Sequence, residues 1–226
     1  KMNFFSNKLS SKDYLKLFKN NFSKKFILEN SGMLIGDKAL YRQIKILEII
    51  KNIELVKGDI IEFGIWHGNN LFMVKKIVDF YKLKKRVIGY DNFSGFPNPA
   101  KLKKLKKGKY IGKPELINKI LKFFKLSNVK IINDDILNLE KHKKIFNKIS
   151  FVYIDCNVYE PVKKILETLN NKISKGGIIA FDEAQNKNNK SEGIAMMEFY
   201  NRNKKSYKLI KLNKNYQPDA ILIKKN

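Results

Sequence analysis

Residues 58–70 read Gly58-Asp59-Ile60-Ile61-Glu62-Phe63-Gly64-Ile65-Trp66-His67-Gly68-Asn69-Asn70. The apolar run 60–63 has the length and composition of a strand buried on both faces. Glu62 sits near its end. Gly64 and Gly68 interrupt the pattern, and residues 71–80 then carry apolar side chains at helical spacing. Strand, glycine turn, helix is the opening unit of a doubly wound parallel sheet. Such sheets bind ligands at the carboxyl ends of their strands.

The glycine spacing narrows the ligand. A dinucleotide fingerprint, G-x-G-x-x-G, places its second glycine where the backbone meets a pyrophosphate. Here that position is Trp66. The pattern acid-x-Gly-x-x-x-Gly instead resembles motif I of class I S-adenosylmethionine-dependent methyltransferases. In that resemblance Gly64 and Gly68 let the backbone curl beneath a cofactor without phosphates, and Glu62 lies near its methionine end. An ordinary glycine turn in another α/β protein is the alternative.

A chain of 226 residues has room for one α/β domain with a sizeable core. No apolar run approaches the roughly 20 residues of a membrane span. Residues 1–11 lack the apolar segment of a signal peptide. The single cysteine, Cys156, excludes an internal disulfide. Together these favour a cytoplasmic protein without a membrane partner. The net charge of +26 suggests nucleic acid at first sight. Only Arg42, Arg86 and Arg202 are arginines, however, and arginine is the residue of bidentate base and phosphate recognition. Lysines spread over nearly every segment fit an AT-rich codon bias better, and an anionic small substrate fits the same charge.

Residues 1–35 form a polar, lysine-rich arm with scattered aromatics. Tyr14, Leu15, Leu17 and Phe18 could share one helical face, packing on the domain or on a second subunit of a homodimer. Residues 36–226 make up the main domain. Apolar spacing predicts a helix over 40–55, with Arg42 in its first turn as a surface charge or a carboxylate partner. A second strand closes on Asp91. A carboxylate there, twenty-three residues past Gly68, can accept both hydroxyls of a ribose. A helix-capping role is the alternative. Asn92 follows in a tight turn. Residues 98–113 are dense in lysine, and read as a solvated loop or a lid that steers an anionic substrate. Pro114 opens a helix. A third strand, 128–132, leads to Asp134 and Asp135; Asp135 could bond an adenine amino group or simply cap a turn. A helix is expected over 139–148, with His142 solvated.

A fourth strand ends in Asp155, and Tyr159 follows. A fifth, 178–181, ends in Asp182-Glu183. Three carboxylates on neighbouring strand ends repel one another and raise each other's pKa. A divalent cation would remove the conflict, and hard oxygen donors suit Mg2+ first, or Mn2+ or Fe2+. Cys156 reads as core. A helix from 191 is followed by two strands around a polar turn, an antiparallel hairpin at the sheet edge.

Four segments together resemble the macrocin O-methyltransferase (TylF-like) family: 58–69, 87–97 (Val-Ile-Gly-Tyr-Asp-Asn-Phe-Ser-Gly-Phe-Pro), 153–159 (Tyr-Ile-Asp-Cys-Asn-Val-Tyr) and 176–183 (Gly-Gly-Ile-Ile-Ala-Phe-Asp-Glu). The resemblance implies a Rossmann-like α/β fold. Its sheet would have seven mostly parallel strands, an antiparallel terminal strand and helices on both faces. It implies methyl transfer from S-adenosyl-L-methionine to a sugar hydroxyl, with help from a divalent metal, and a nucleotide-linked sugar or polysaccharide precursor is the expected acceptor. Glu62, Gly64, Gly68, Asp91, Asn92, Asp135 and Asp155 would face the cofactor. Asp155, Asp182 and Glu183 would hold the metal. Asp155, His67 and Tyr159 would serve catalysis, with Glu183 a further candidate base. Two positions depart from the family pattern: Asn157 replaces an aspartate, and Glu183 replaces the second of two paired aspartates. A phenol or catechol methyltransferase, an RNA methyltransferase and a non-catalytic subunit are the rival readings.

Overall fold

The computed structural model describes residues 23–96, 110–186 and 191–225. The apolar face expected within 1–22 and most of the lysine run 98–113 lie outside them. The chain divides into two units, Lys1–Tyr41 and Arg42–Asn226. In the first, α1 (Lys24–Glu29) is capped by Ser23, whose Oγ accepts the Phe26 N–H at 3.0 Å; a 3-10 turn, Ser31–Leu34, follows. Helix α2 (Asp37–Asn52) begins in this unit and continues into the second.

The second unit alternates strands and helices: β1 (Asp59–Phe63), α3 (Asn69–Phe80), β2 (Val87–Asp91), α4 (Pro114–Phe123), β3 (Val129–Asn133), α5 (Leu139–His142), β4 (Ile149–Ile154), α6 (Tyr159–Leu169), β5 (Ile173–Phe181), α7 (Ser191–Arg202), β6 (Tyr207–Lys211) and β7 (Ala220–Lys224). One seven-stranded sheet results, in the order β3-β2-β1-β4-β5-β7-β6. Strands β3 to β5 are parallel, and β7 is antiparallel to both β5 and β6. This is the Rossmann-like class I methyltransferase architecture expected from the sequence.

The period of two along each strand sorts side chains to the two faces. Ile60, Phe151, Tyr153 and Ile178 pack with Ile46 and Ile50 of α2 and with Leu71 and Val74 of α3. Ile61, Phe63, Val152 and Phe181 pack on the other side with Val162 and Ile165 of α6 and with Met196 and Phe199 of α7. Cys156 belongs to this second core, as expected.

One expectation changes. Residues 139–148 are not one helix: α5 gives way to a 3-10 turn, Lys143–Ile145. Phe146 then takes an extended backbone and buries its ring. The helix gives way where that ring enters the core. The terminal hairpin closes the sheet edge as an antiparallel pair, as expected. Its second strand, β7, inserts beside β5. Ala220, Ile221 and Leu222 are buried, whereas β6 presents Lys208 and Lys211 to solvent. Lysine-flanked strands suit an edge, and apolar ones the interior.

Candidate active site

Strand register brings the candidate residues to one edge. Phe63 pairs with Tyr90 and Ile154, and Ile154 pairs with Phe181. The residues that follow, Gly64, Asp91, Asp155 and Asp182, therefore line up at the carboxyl ends of β1, β2, β4 and β5. Backbone bonds continue the sheet through them: Gly64 N–H to Tyr90 O, Asp155 N–H to Phe63 O and Asp182 N–H to Ile154 O, each 2.9 Å.

The glycine loop crosses β4 closely. At Gly64 (φ 83°) an added Cβ would lie 2.0 Å from the Asp155 carbonyl oxygen. Both the left-handed backbone and the close approach demand glycine. Gly68 (φ 80°) is the N-cap of α3. Trp66 between them also has positive φ, 48°. Its backbone N–H donates to Asp91 Oδ2 at 2.8 Å, and Phe93 N–H donates to Asp91 Oδ1 at 2.7 Å. Asp91 thus ties the glycine loop to its own turn. The backbone N–H groups of Ile65 and Asn92 also favour its ionised form. Burial raises its pKa, and the backbone donors oppose that rise.

Glu62 is buried beneath this loop. Its Oε2 makes no hydrogen bond, and neither does the nearby amide Nδ2 of Asn70. Desolvation pushes the Glu62 carboxyl up to about 8, although Asn70 and Arg42 both favour its ionised form. His67 lies against the Trp66 ring at 4.2 Å, and its Nδ1 is buried without a hydrogen-bond partner. The Trp66 indole N–H donates to Ile111 O at 3.2 Å.

Further along the edge, local structure claims two candidates. Asn92 accepts the Ser94 N–H at 2.9 Å and shapes its own turn. Asp135 caps a 3-10 turn by accepting the Leu137 N–H at 2.9 Å. His142, expected in solvent, pairs with Asp134 Oδ2 at 2.8 Å and meets the Tyr90 ring edge-on. Bonds from Asn138 and His142 bring Asp134 down to about 2.

The acids of β4 and β5 meet a cation the sequence did not connect to them. Arg42 reaches from α2 to Asp182 Oδ1 at 3.1 Å and donates to Gln217 Oε1 at 2.8 Å. The Tyr153 hydroxyl donates to the same Asp182 oxygen at 2.5 Å. Burial opposes the charge of Arg42, but Tyr153, Asp182, Asp155 and Glu62 around it raise its pKa. Asp155 accepts the Asn157 side-chain amide at 3.3 Å. Its pKa is raised well above the usual carboxylate range by desolvation, then by Asp182 and Glu192.

The metal site expected from Asp155, Asp182 and Glu183 is not assembled. Glu183 Oε1 accepts the Gln217 amide at 2.8 Å, and Oε2 accepts the Asn186 amide at 2.7 Å. Asp182 faces a guanidinium. Among the described residues, no group of three or more His, Cys, Asp or Glu is placed to hold a metal ion. Arg42 beside Asp182 offsets part of the carboxylate repulsion in this arrangement. Tyr159 is also directed elsewhere: its hydroxyl donates to Glu198 of α7 at 2.6 Å. The residue that sequence reasoning missed is Glu192, buried in the first turn of α7 beside this cluster.

Comparison with known proteins agrees with the fold. The sequence model of the macrocin-O-methyltransferase (TylF) family matches residues 29–215. A crystal structure of CalS11, a calicheamicin methyltransferase, superposes with a TM-score of 0.78 at 21% identity, covering 96% of this chain and 93% of that one. The apo structure of CalS11, described as a TDP-rhamnose 3'-O-methyltransferase, gives 0.71 at 21% identity over 94% and 92%. The O-methyltransferase NovP gives 0.68 at 17% identity over 82% and 79%. No curated protein matches the chain. No helix among the described residues is long and apolar enough to cross a membrane. The family match spans most of the sequence: the chain belongs to the macrocin-O-methyltransferase (TylF) family and is an S-adenosylmethionine-dependent O-methyltransferase.

Proposed function

We propose that the protein methylates a hydroxyl of a sugar, carried on a nucleotide or on a polysaccharide precursor. The observation that carries this reading is the TylF family match over residues 29–215. The near full-length likeness to an enzyme described as acting on TDP-rhamnose supports it.

S-adenosylmethionine supplies an electrophilic methyl group when bound. The chain's own residues fit such a ligand at the glycine loop, where Gly64 and Gly68 turn the backbone through left-handed conformations and Glu62 Oε2 has no hydrogen-bond donor. Glu62 lies on the methionine side, and the Asp91 carboxylate at the end of β2 suits ribose hydroxyls. On the opposite side, Asp155, Asp182 and Arg42 form a polar floor for the acceptor. As the new C–O bond forms, the hydroxyl proton must leave. Asp155 and His67 are our candidates to take it. Most of the acceleration comes from holding the hydroxyl oxygen in line with the methyl group.

The test is methyl transfer from labelled S-adenosylmethionine to a panel of TDP-rhamnose, other nucleotide sugars, free sugars and catechols. A methylated nucleotide sugar supports the reading. Turnover of catechols alone, or of no sugar at all, overturns it. RNA included in the panel separates the nucleic-acid alternative.

A further inference from the structure

Glu192 is 1% exposed, yet it is a carboxylate in the first turn of a helix that packs on the acceptor side of the site. Its two oxygens serve two different loops. Oε1 accepts the Glu183 N–H at 3.0 Å, and Oε2 accepts the Asn157 N–H at 3.4 Å. Those loops follow β5 and β4, the strands that deliver Asp182 and Asp155. Burial and the nearby Asp182 raise the Glu192 carboxyl to about 8, and the two backbone donors, Glu183 N–H and Asn157 N–H, oppose that rise. The N-terminal turn of α7 favours the negative charge. The helix start is also seated firmly: a Cβ at Gly193 would lie 2.0 Å from the Ala184 carbonyl oxygen.

The consequences reach both acids. Asn157 is held with φ 56°, a left-handed backbone, and from there its Nδ2 donates to Asp155 Oδ1 at 3.3 Å. Glu183 N–H is the peptide immediately after Asp182. One buried side chain therefore fixes the amide that touches Asp155 and the peptide that follows Asp182.

We propose that Glu192 is a positioning residue for methyl transfer. It ties the loop after β4 to the loop after β5, and so sets the placement of Asp155 against Asp182 without touching either reactant. This rests on the reading above in one respect, that these two acids serve the acceptor.

Glu192→Gln keeps the size and shape but offers one oxygen and one NH2 group to two N–H donors. One bond is lost, and a donor opposes a donor in its place. Glu192→Asp is one methylene shorter and retains the charge. The experiment measures S-adenosylhomocysteine affinity by calorimetry, and kcat and acceptor KM on the sugar found by the panel. For E192Q the expected result is cofactor-product affinity within threefold of the parent, acceptor KM within threefold, and kcat lowered at least tenfold. E192D recovers part of the loss. A kcat within threefold of the parent overturns the proposal, as does a loss of S-adenosylhomocysteine affinity parallel to the loss in kcat. If the parent methylates no sugar, the sugar reading has failed. Amide exchange on the S-adenosylhomocysteine complex then decides: Asn157 and Glu183 amides should exchange at least tenfold faster in E192Q, with Gly64 unchanged, and equal rates overturn the clamp. If E192Q does not fold, E192A, which adds no opposing donor, replaces it in both measurements.

Discussion

Arg42 Nη2 stands 3.1 Å from Asp182 Oδ1 and joins helix α2 to the end of β5, 140 positions away in sequence. Asp182 is 3% exposed and also accepts from the Tyr153 hydroxyl. Removing one partner of a buried ion pair costs roughly 3–5 kcal/mol. The Arg42 side chain is 26% exposed, which places Arg42→Met at the lower end, about 3 kcal/mol. Urea denaturation reads this directly. The double variant R42M/D182N should recover much of the loss, because no charge is then stranded. A single-variant loss under about 0.5 kcal/mol would mean that the pair contributes nothing.

Gly64→Ala should damage fold and cofactor site together. The left-handed backbone alone costs an alanine about 1–2 kcal/mol. The new methyl would also stand 2.0 Å from Asp155 O, so β1 and β4 must part at the edge where the cofactor loop starts. Thermal melting should fall by several degrees, and calorimetry should show S-adenosylmethionine affinity weakened by more than tenfold. Wild-type affinity in this variant would place the cofactor somewhere other than this loop.

The parts of the site that local pattern controls were legible in the sequence. The glycine spacing gave the β1–α3 turn because φ near 80° at Gly64 and Gly68 is a local requirement. Asp91, Asp155 and Asp182 were legible because a parallel sheet puts all strand carboxyl ends on one edge. What remained hidden is what depends on partners distant in sequence. Arg42 could be read as a surface charge or as a carboxylate partner, but nothing in residues 40–55 specifies Asp182. An acid in a first helical turn is ordinary, favoured there by the helix dipole, so nothing local singles out Glu192. Only the packing of α7 shows that it turns inward. Glu183 looked like a metal ligand until Gln217 and Asn186 were brought beside it. The hairpin was legible as a hairpin, but which strand joins β5 is decided by burial of Ile221 and Leu222.

Stability should fall as pH rises in the cofactor-free protein, and Glu62 should account for part of the slope. Its pKa in the folded chain is about 8, raised by burial from an ordinary 4.5. Between those values the folded state holds a proton that the unfolded state has released. The contribution is fully present below about pH 4.5 and is lost as pH rises through 8. Glu62→Gln removes that proton from the balance. The slope of unfolding free energy against pH should become less negative in the variant, by at most about 1.4 kcal/mol per pH unit. Denaturation series at pH 6, 7 and 8 on both proteins check it; parallel slopes would show that Glu62 ionises normally.

Asp155→Ala should separate catalysis from cofactor binding. Gly64, Gly68 and Asp91 hold their geometry through backbone bonds to β1, β2 and the Trp66 amide, none of which uses the Asp155 side chain. The Asp155 carboxylate instead points its interactions toward Asn157 and the Asp182–Glu192 cluster. Truncating it removes one of two candidate proton acceptors and one wall of the acceptor floor. Turnover should fall by at least 10²-fold, while S-adenosylmethionine affinity stays within threefold. Chelator should leave that affinity unchanged in both proteins, because the glycine loop and Asp91 share no side chain with Asp182 or Glu183. His67→Ala, assayed alongside, assigns the proton. If it retains most of the parent rate while D155A does not, Asp155 takes the proton; the reverse result gives that role to the imidazole stacked on Trp66. Near-parental turnover in D155A would remove the strand-end acids from the mechanism.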